Sequence, residues 1–197
     1  MIKQADVPED VKKAIAFVWR TNEGFFENLF RVATYVIPFI PGLGWMVYVL
    51  DKFASMGFGM GFEDLGKWID QQLGLSPGSE ITEEHFMGLE PHFTKTLTPT
   101  TSMNHQGQFV KVAFLWGLLK SIGGVKPVLS KSWTIVKAVV GWLLLTFGAS
   151  SMNQLYQNID QYKALAKQKA TELAKDAIQQ QLLGGGNTIE DLTQMLS

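Results

Sequence analysis

The chain has 197 residues, of which 46% are hydrophobic and 18% are charged, and its mean hydropathy is +0.07. That mean is too low for a chain made mostly of membrane spans. The charged fraction lies below the roughly 25% of an average soluble domain, so composition predicts a mixture of solvated segments with buried or lipid-facing ones. A net charge of −1 predicts no polyanionic partner, and the lack of cysteine excludes disulfides, thiolate metal sites and a cysteine nucleophile.

Charge is distributed unevenly along the chain. Residues 1–90 carry 13 acids and 7 bases, residues 91–159 carry no acid and 6 lysines, and residues 160–197 carry 5 acids and 4 bases. The cationic middle block also contains the longest apolar runs, which favours contact with an anionic lipid surface. The alternative is that these lysines only keep a hydrophobic hairpin soluble. Acids near the N-terminus, where a signal peptide needs an apolar core, predict no cleavable secretory signal.

Residues 1–75 are predicted to hold amphipathic helices and one kinked apolar segment. Pro8, Glu9 and Asp10 are typical of a helix first turn. The apolar stripe of this helix is Val11, Ile15, Val18 and Trp19. A second helix, capped by Thr21 or Asn22, carries Phe25, Phe26, Leu29 and Phe30.

Nineteen uncharged residues separate Arg31 from Asp51, which is long enough to span a bilayer. Pro38 and Pro41, with the glycines that follow, interrupt this segment and predict a bend between two apolar helical pieces. A kinked span, a re-entrant hairpin and a helix–turn–helix in a soluble core all fit residues 32–50.

The next segment combines a glycine repeat with an amphipathic helix. Gly57, Gly59 and Gly61 lack the lysine and the spacing of a phosphate loop, and small residues there favour close helix packing. The helix after them is predicted to end at Gly74 and to lie at a membrane interface or dock on the protein surface, with Trp68 as its anchor. Residues 76–108 form the most polar stretch, interpreted as a linker with one short helix capped by Thr82.

Residues 109–150 are predicted to form an apolar αα-hairpin that inserts into a membrane. Its first helix is apolar nearly all round, and its second helix is expected to begin near Ser132 and end near Ser150. Lysines and one tryptophan are predicted to lie at the membrane interfaces: Lys111, Lys120, Lys126, Lys131, Trp133 and Lys137. The turn with Lys126 and Lys131 is expected on the cytoplasmic or interior side.

Residues 151–197 are predicted to form a long amphipathic helix, a glycine break at residues 184–186 and a short docking tail. Apolar residues recur at heptad spacing along the helix, on a stripe narrow enough for close contact with a neighbouring helix. The predicted partner-docking residues are Ile159, Ala166, Ala170, Leu173 and Ala177 on the helix, and Ile189, Leu192 and Met195 on the tail.

Candidate catalytic and metal-binding residues are weak. GLSPG matches the nucleophile-elbow pattern around Ser76, but a helix is expected before it where an elbow needs a strand. His85 and His92 lie among glutamates without a known zinc spacing, and His105 lies in a polar loop. The lysines lie among apolar residues rather than in a basic cluster with exposed aromatics, so nucleic-acid binding is not expected.

These patterns predict an all-α, membrane-associated helical protein with an apolar αα-hairpin and a long C-terminal helix. The expected function is a non-enzymatic, integral membrane structural subunit of an assembly such as a virion or secretion complex. Its expected partners are the lipid bilayer and other subunits, in a homo- or hetero-oligomer, with no cofactor and no small-molecule substrate. A holin-like or toxin-like pore former is the first alternative, and a soluble helical domain binding an apolar ligand is the second.

Overall fold

The computed structural model describes residues 7–39, 44–98 and 106–184, and in those ranges every regular element is helical. The predicted all-α class is therefore confirmed. The α-helices, in chain order, are α1 (Glu9–Val18), α2 (Phe25–Tyr35), α3 (Gly44–Phe58), α4 (Phe62–Leu73), α5 (Glu83–Met87), α6 (Glu90–Leu97), α7 (Gln106–Ser121), α8 (Val125–Thr146) and α9 (Met152–Gly184). A single 3₁₀ turn, Ile37–Phe39, follows α2.

Helix α1 closes one side of the core. It begins directly after Pro8, as predicted, with two acids in its first turn. Ile15 and Trp19 are completely buried, and the Trp19 ring meets the edges of Phe25 and Tyr156 at centroid distances of 5.8 and 5.9 Å. The helix thereby connects α2 with the start of α9, and aromatic contacts of this kind add to the area that they bury.

Helices α2 and α4 pack closely together, and one glycine permits that approach. A Cβ atom on Gly66 would lie 2.4 Å from the carbonyl oxygen of Phe26, so no larger residue fits between the two backbones. Phe30 and Phe62 stack beside this point, with ring centroids 4.2 Å apart. The glycine repeat at residues 57–61 was the predicted site of close packing. Its Gly59 instead follows α3 in the left-handed conformation, with φ +67°.

The N-terminus of α2 is capped by a side chain from α4 rather than by Thr21 or Asn22. The Asp70 carboxylate accepts the backbone N–H groups of Phe26 at 2.9 Å and Glu27 at 2.7 Å. Gly24 precedes the helix, and it makes no side-chain cap of its own. A long-range carboxylate therefore satisfies two of the N–H groups that every helix start leaves open.

Residues 76–98 pack on the body of the protein instead of forming a linker. The Thr82 hydroxyl oxygen accepts the His85 backbone N–H at 3.4 Å, as the predicted cap requires. A second helix, α6, follows, and both short helices contact α8. Phe86, Leu89 and Leu97 are buried, because the polar sequence around them still supplies one apolar residue per turn to the core.

The two apolar helices α7 and α8 are joined by a turn in which Gly123 and Gly124 both have positive φ. Among the described residues, α7 mainly contacts α3 and α6, whereas α8 mainly contacts α5, α6 and α9. They do not pack along their lengths as the predicted αα-hairpin would. Helix α6 contacts both of them.

Candidate membrane surface and docking arm

Helix α8 is the one helix of the described residues that is long and apolar enough to cross a bilayer. It has 22 residues, or about 33 Å of helix, against a hydrocarbon core of about 30 Å. Its most apolar 18-residue window has a mean hydropathy of 1.4, and only 17% of that window is buried. Length and composition thus permit a span, but they do not require one.

The two faces of α8 differ in polarity. Val125, Leu129, Trp133 and Leu143 point into the core, where the Trp133 ring lies 5.5 Å from the Phe86 ring. The exposed side of its first half is mostly polar, with Lys126, Ser130, Lys131, Thr134 and Lys137, although Ile135 is also exposed there. Trp133, predicted as an interfacial anchor, is only 6% exposed and therefore serves the core.

Lys137 occupies a different place from the one predicted. It was expected within a turn of the helix start, but α8 begins at Val125, so Lys137 lies near the middle of the helix. Pro127 does not break the helix there, because it lies in the first turn, where its missing N–H is not needed. At the centre of a bilayer such a lysine would cost about 2.5–3.5 kcal/mol.

Several large, exposed apolar side chains lie close together in the sequence of α3 and α7, two helices that pack against each other. Trp45 is 66% exposed and Phe114 is 62% exposed. We call this set the α3–α7 surface, and it consists of Trp45, Tyr48, Val49, Phe114, Leu118 and Ile122. Exposed apolar groups on adjacent elements mark interaction sites more often than isolated ones do.

Lysines accompany the α3–α7 surface on both helices. The Lys52 ammonium lies 5.4 Å from the centroid of the Tyr48 ring, and Lys111 and Lys120 on α7 are exposed. Phe114, Leu118 and Ile122 are four residues apart, so they form one ridge along α7 and its C-terminal end. Leu115 and Leu119 are buried on the inner side. Helix α7 is therefore apolar on both its inner and its outer face.

Trp68 does not lie at an exposed interface. It is half-buried on α4, with its ring 5.5 Å from Phe93 and 6.0 Å from Phe58, and the His92 ring meets its edge at 6.4 Å. This tryptophan therefore packs α4 against α6, and only part of its side chain is exposed.

Helix α9 is divided into a packed base and an exposed arm. At its base, Met152, Leu155 and Ile159 are buried against the body. From residue 164 to residue 182 every side chain is exposed, a length of about 28 Å, and we call this part the α9 arm. Ile159 was predicted to contact a partner, but it is completely buried in the chain's own core. Ala166, Ala170, Leu173 and Ala177 are exposed on the arm, and Ile189, Leu192 and Met195 lie outside the described residues.

A buried ion-pair network on α2 was not predicted from the sequence. Arg31 is buried, and it pairs with Glu23, with Glu27 at 3.6 Å and with Glu63 at 2.6 Å. Burial disfavours its charge, but the Glu23 and Glu63 carboxylates outweigh that effect and raise the pKa of Arg31. The spacing of Glu23, Glu27 and Arg31 by four was the available signal, because it places three charges on one side of an otherwise apolar segment.

Two carboxyl groups of the same region are disfavoured as anions. Burial raises the pKa of Asp70 to about 6, against the two backbone N–H groups that favour its charged form, and the nearby Glu27 adds to the rise. Burial and the Glu23 carboxylate likewise raise the pKa of Glu27. For Glu23 burial acts in the same direction, but hydrogen bonds from Arg31 and Arg20 prevail and lower its pKa. These groups bind one another and the α2 backbone, which is a structural arrangement.

The candidate catalytic and metal-binding residues are not assembled into a site. Ser76 lies in a turn after Gly74, which ends α4 with φ +62°, and its N–H donates to the Ser79 hydroxyl at 3.0 Å. The Thr82 hydroxyl lies 2.7 Å from His85 Nδ1. Among the described residues, His, Asp and Glu form no group of three able to hold a metal ion, and His105 lies outside those residues.

The chain matches no protein-family model, no curated protein and no solved structure. The candidates for its functional sites are therefore its own exposed apolar features, which are the α3–α7 surface and the α9 arm.

Proposed function

We propose that the chain is a non-enzymatic, membrane-bound structural subunit that contacts lipid through the α3–α7 surface and other protein through the α9 arm. The observation that carries this proposal is the exposure of six large apolar side chains, five on two helices that pack together and Ile122 directly after α7. Burying one such side chain fully is worth about 1.5–3 kcal/mol. A water-soluble monomer would leave that energy unused and would gain a surface prone to association.

Charge supports lipid rather than protein as the occupant of this surface. Residues 91–159 carry six lysines and no acid, and Lys111 and Lys120 on α7 belong to that block. A lysine near an anionic leaflet contributes about 1 kcal/mol of attraction. Tryptophan and tyrosine, which Trp45 and Tyr48 supply here, are the residues enriched at the boundary between headgroups and acyl chains.

The depth of insertion distinguishes two forms of this proposal. Insertion of α8 as a span, which the sequence favours, would bring Lys137 and the polar side of the helix into hydrocarbon. Contact through α3 and α7 avoids this cost, because their exposed apolar side chains already face outwards. We therefore place the main lipid contact on α3 and α7.

The test is flotation of the purified full chain with vesicles, followed by extraction. We expect co-flotation with vesicles that contain anionic lipid, weaker co-flotation with neutral vesicles, and release by carbonate without detergent. Resistance to carbonate would instead show that α8 spans the bilayer. A chain that stays at the bottom of the gradient with both lipids would contradict the proposal. Dye release from the same vesicles would favour the pore-forming alternative over a structural subunit.

A further inference from the structure

The α9 arm has one seam of small residues with a single large residue in it. Ala166, Ala170, Leu173 and Ala177 follow one another at steps of four, three and four, which places them on one side of a helix. All four side chains are exposed, and Leu173 is 65% exposed. A partner helix therefore has free access to the seam, and the alanines let it approach closely.

We infer that this seam binds the same seam of a second copy of the chain, in antiparallel orientation, about a two-fold axis between Ala170 and Leu173. In that pairing Ala170 lies opposite Leu173 of the second copy, and Ala166 lies opposite Ala177 of the second copy. In the two central layers each leucine then meets an alanine, and the two outer layers pair Ala166 with Ala177, so no leucine meets a leucine. A parallel pairing would set leucine against leucine and alanine against alanine, which leaves gaps beside the leucines.

Charge selects the same partner and the same orientation. Lys169 and Asp176 flank the seam on one side, and within residues 106–184 the structure pairs neither of them with an opposite charge. In the antiparallel pairing Lys169 lies beside Asp176 of the second copy, and the two-fold axis repeats this ion pair. In a parallel pairing the facing residues would be alanine and glutamine instead, because flanking positions five residues apart then meet.

The ends of the seam also fit this register. Lys163 and Gln180 continue the seam at its two ends, and the antiparallel pairing sets the lysine of one copy opposite the glutamine of the other. A parallel pairing would set Lys163 against Lys163 of the second copy. The contact then covers residues 163–180, about 26 Å of helix, and it ends in polar residues at both sides.

This pairing deepens the proposed assembly role by naming the partner, and it rests on the arm contacting protein. It does not involve the α3–α7 surface. Vesicle flotation and self-association can therefore be scored separately on the same variants.

Cysteine crosslinking tests the pairing, and the absence of native cysteine makes it clean. Full-length A166C and A177C are oxidised in mild detergent, separately and mixed. We expect a disulfide-linked dimer in the mixture and little in either variant alone, because identical positions lie about 16 Å apart along the antiparallel axis. Q168C and Q179C, on the opposite side of the arm, form the matched control pair and should not crosslink. Equal crosslinking of each variant alone, or none in the mixture, overturns the inference.

Charge reversal provides an independent readout. K169D places a carboxylate beside Asp176 of the second copy at two symmetric sites, so we expect the dissociation constant of the dimer to rise about tenfold. The double variant K169D/D176K restores the ion pair with reversed charges, so its dissociation constant should return to the wild-type value. K175D makes the same charge change away from the seam and should leave it unchanged. Failure of the double variant to recover overturns the inference, whereas loss of flotation with intact crosslinking overturns only the proposed lipid contact.

Discussion

The α2–α4 pair and the α3–α7 surface treat polarity in opposite ways. The first encloses an arginine and an aspartate together with their partners, whereas the second exposes a tryptophan and a phenylalanine to the surroundings. Buried charges are tolerated only where they are paired, and in the α2–α4 pair residues of the chain itself provide the partners. No described residue covers the exposed aromatic side chains of the α3–α7 surface. The comparison teaches that the chain satisfies the polar groups of one region itself and leaves the apolar groups of the other uncovered, which is the basis of the proposed lipid contact.

The largest effect should come from breaking the ion-pair network. Arg31→Leu removes the buried cation that Glu23, Glu27 and Glu63 share, and it leaves only the exposed Arg20 paired with Glu23. We expect the free energy of unfolding to fall by about 3–5 kcal/mol. Urea denaturation followed by circular dichroism measures it. Arg20→Ala is the control, because that side chain is exposed and its ion pair with Glu23 should be worth at most about 1 kcal/mol. Equal losses in both variants would show that burial does not matter here.

A second effect sharpens the comparison through pH. The pKa of Asp70 is about 6 in the folded chain and 3.8 in the unfolded chain, so the folded state binds this proton more tightly. The stability from this group is present in full below pH 3.8 and is lost as pH rises through 6. Between those limits it should decrease by about 3 kcal/mol.

The Asp70→Asn variant isolates this group, because Glu23 and Glu27 remain in both proteins. The difference in unfolding free energy between wild type and D70N should therefore change across pH 4 to 7, with wild type losing stability relative to the variant. A difference that stays constant over this range would contradict the assigned pKa.

A third test concerns the close approach of α2 and α4. Gly66→Ala forces a methyl group onto the Phe26 carbonyl, so we expect a loss of about 1–3 kcal/mol in unfolding free energy. Gly117→Ala, on the exposed side of α7 with nothing within 4 Å, should instead stabilise by about 0.5–1 kcal/mol through helix propensity. Opposite signs of the two changes are the expected result, and equal signs would refute the close contact.

The variant with the smallest expected effect on stability tests the proposed function most directly. F114S/L118S replaces two exposed residues of the α3–α7 surface and should change the unfolding free energy by less than about 0.5 kcal/mol. Partition of the chain into anionic vesicles should fall at least about tenfold, since two apolar groups no longer enter lipid. Phe17→Ser on α1 is the matched control, because Phe17 is exposed but lies outside this surface. An equal loss of partition in both variants would contradict a specific contact between the α3–α7 surface and lipid.

Local patterns in the sequence predict much of the fold. Pro8 marks the start of α1, Gly74 ends α4, Thr82 caps α5, and the heptad spacing predicts the long α9. Each of these signals acts within a few residues, so sequence order alone reveals it.

Features that depend on contacts between distant residues cannot be predicted from local sequence patterns. The Asp70 cap and the Gly66 approach join residues about 40 positions apart, and nothing near α2 indicates either of them. The start of α8 was misplaced because Gly123, Gly124 and Pro127 all suggested a break, although the proline fits within the first turn. Among the residues of the candidate sites, the sequence indicated those of the arm and the exposed lysines. It did not indicate the outward aromatic side chains of α3, because their exposure depends on which side of the helix packs inward.

The Asp70 cap has a consequence for the order of events during biosynthesis. The carboxylate that completes the first turn of α2 lies 44 residues downstream of Phe26. At about 5–20 residues per second, a ribosome needs about 2–9 seconds to add that stretch. The nascent α2 therefore leaves the exit tunnel with an open end, and its final closure waits until α4 has been translated and has also emerged.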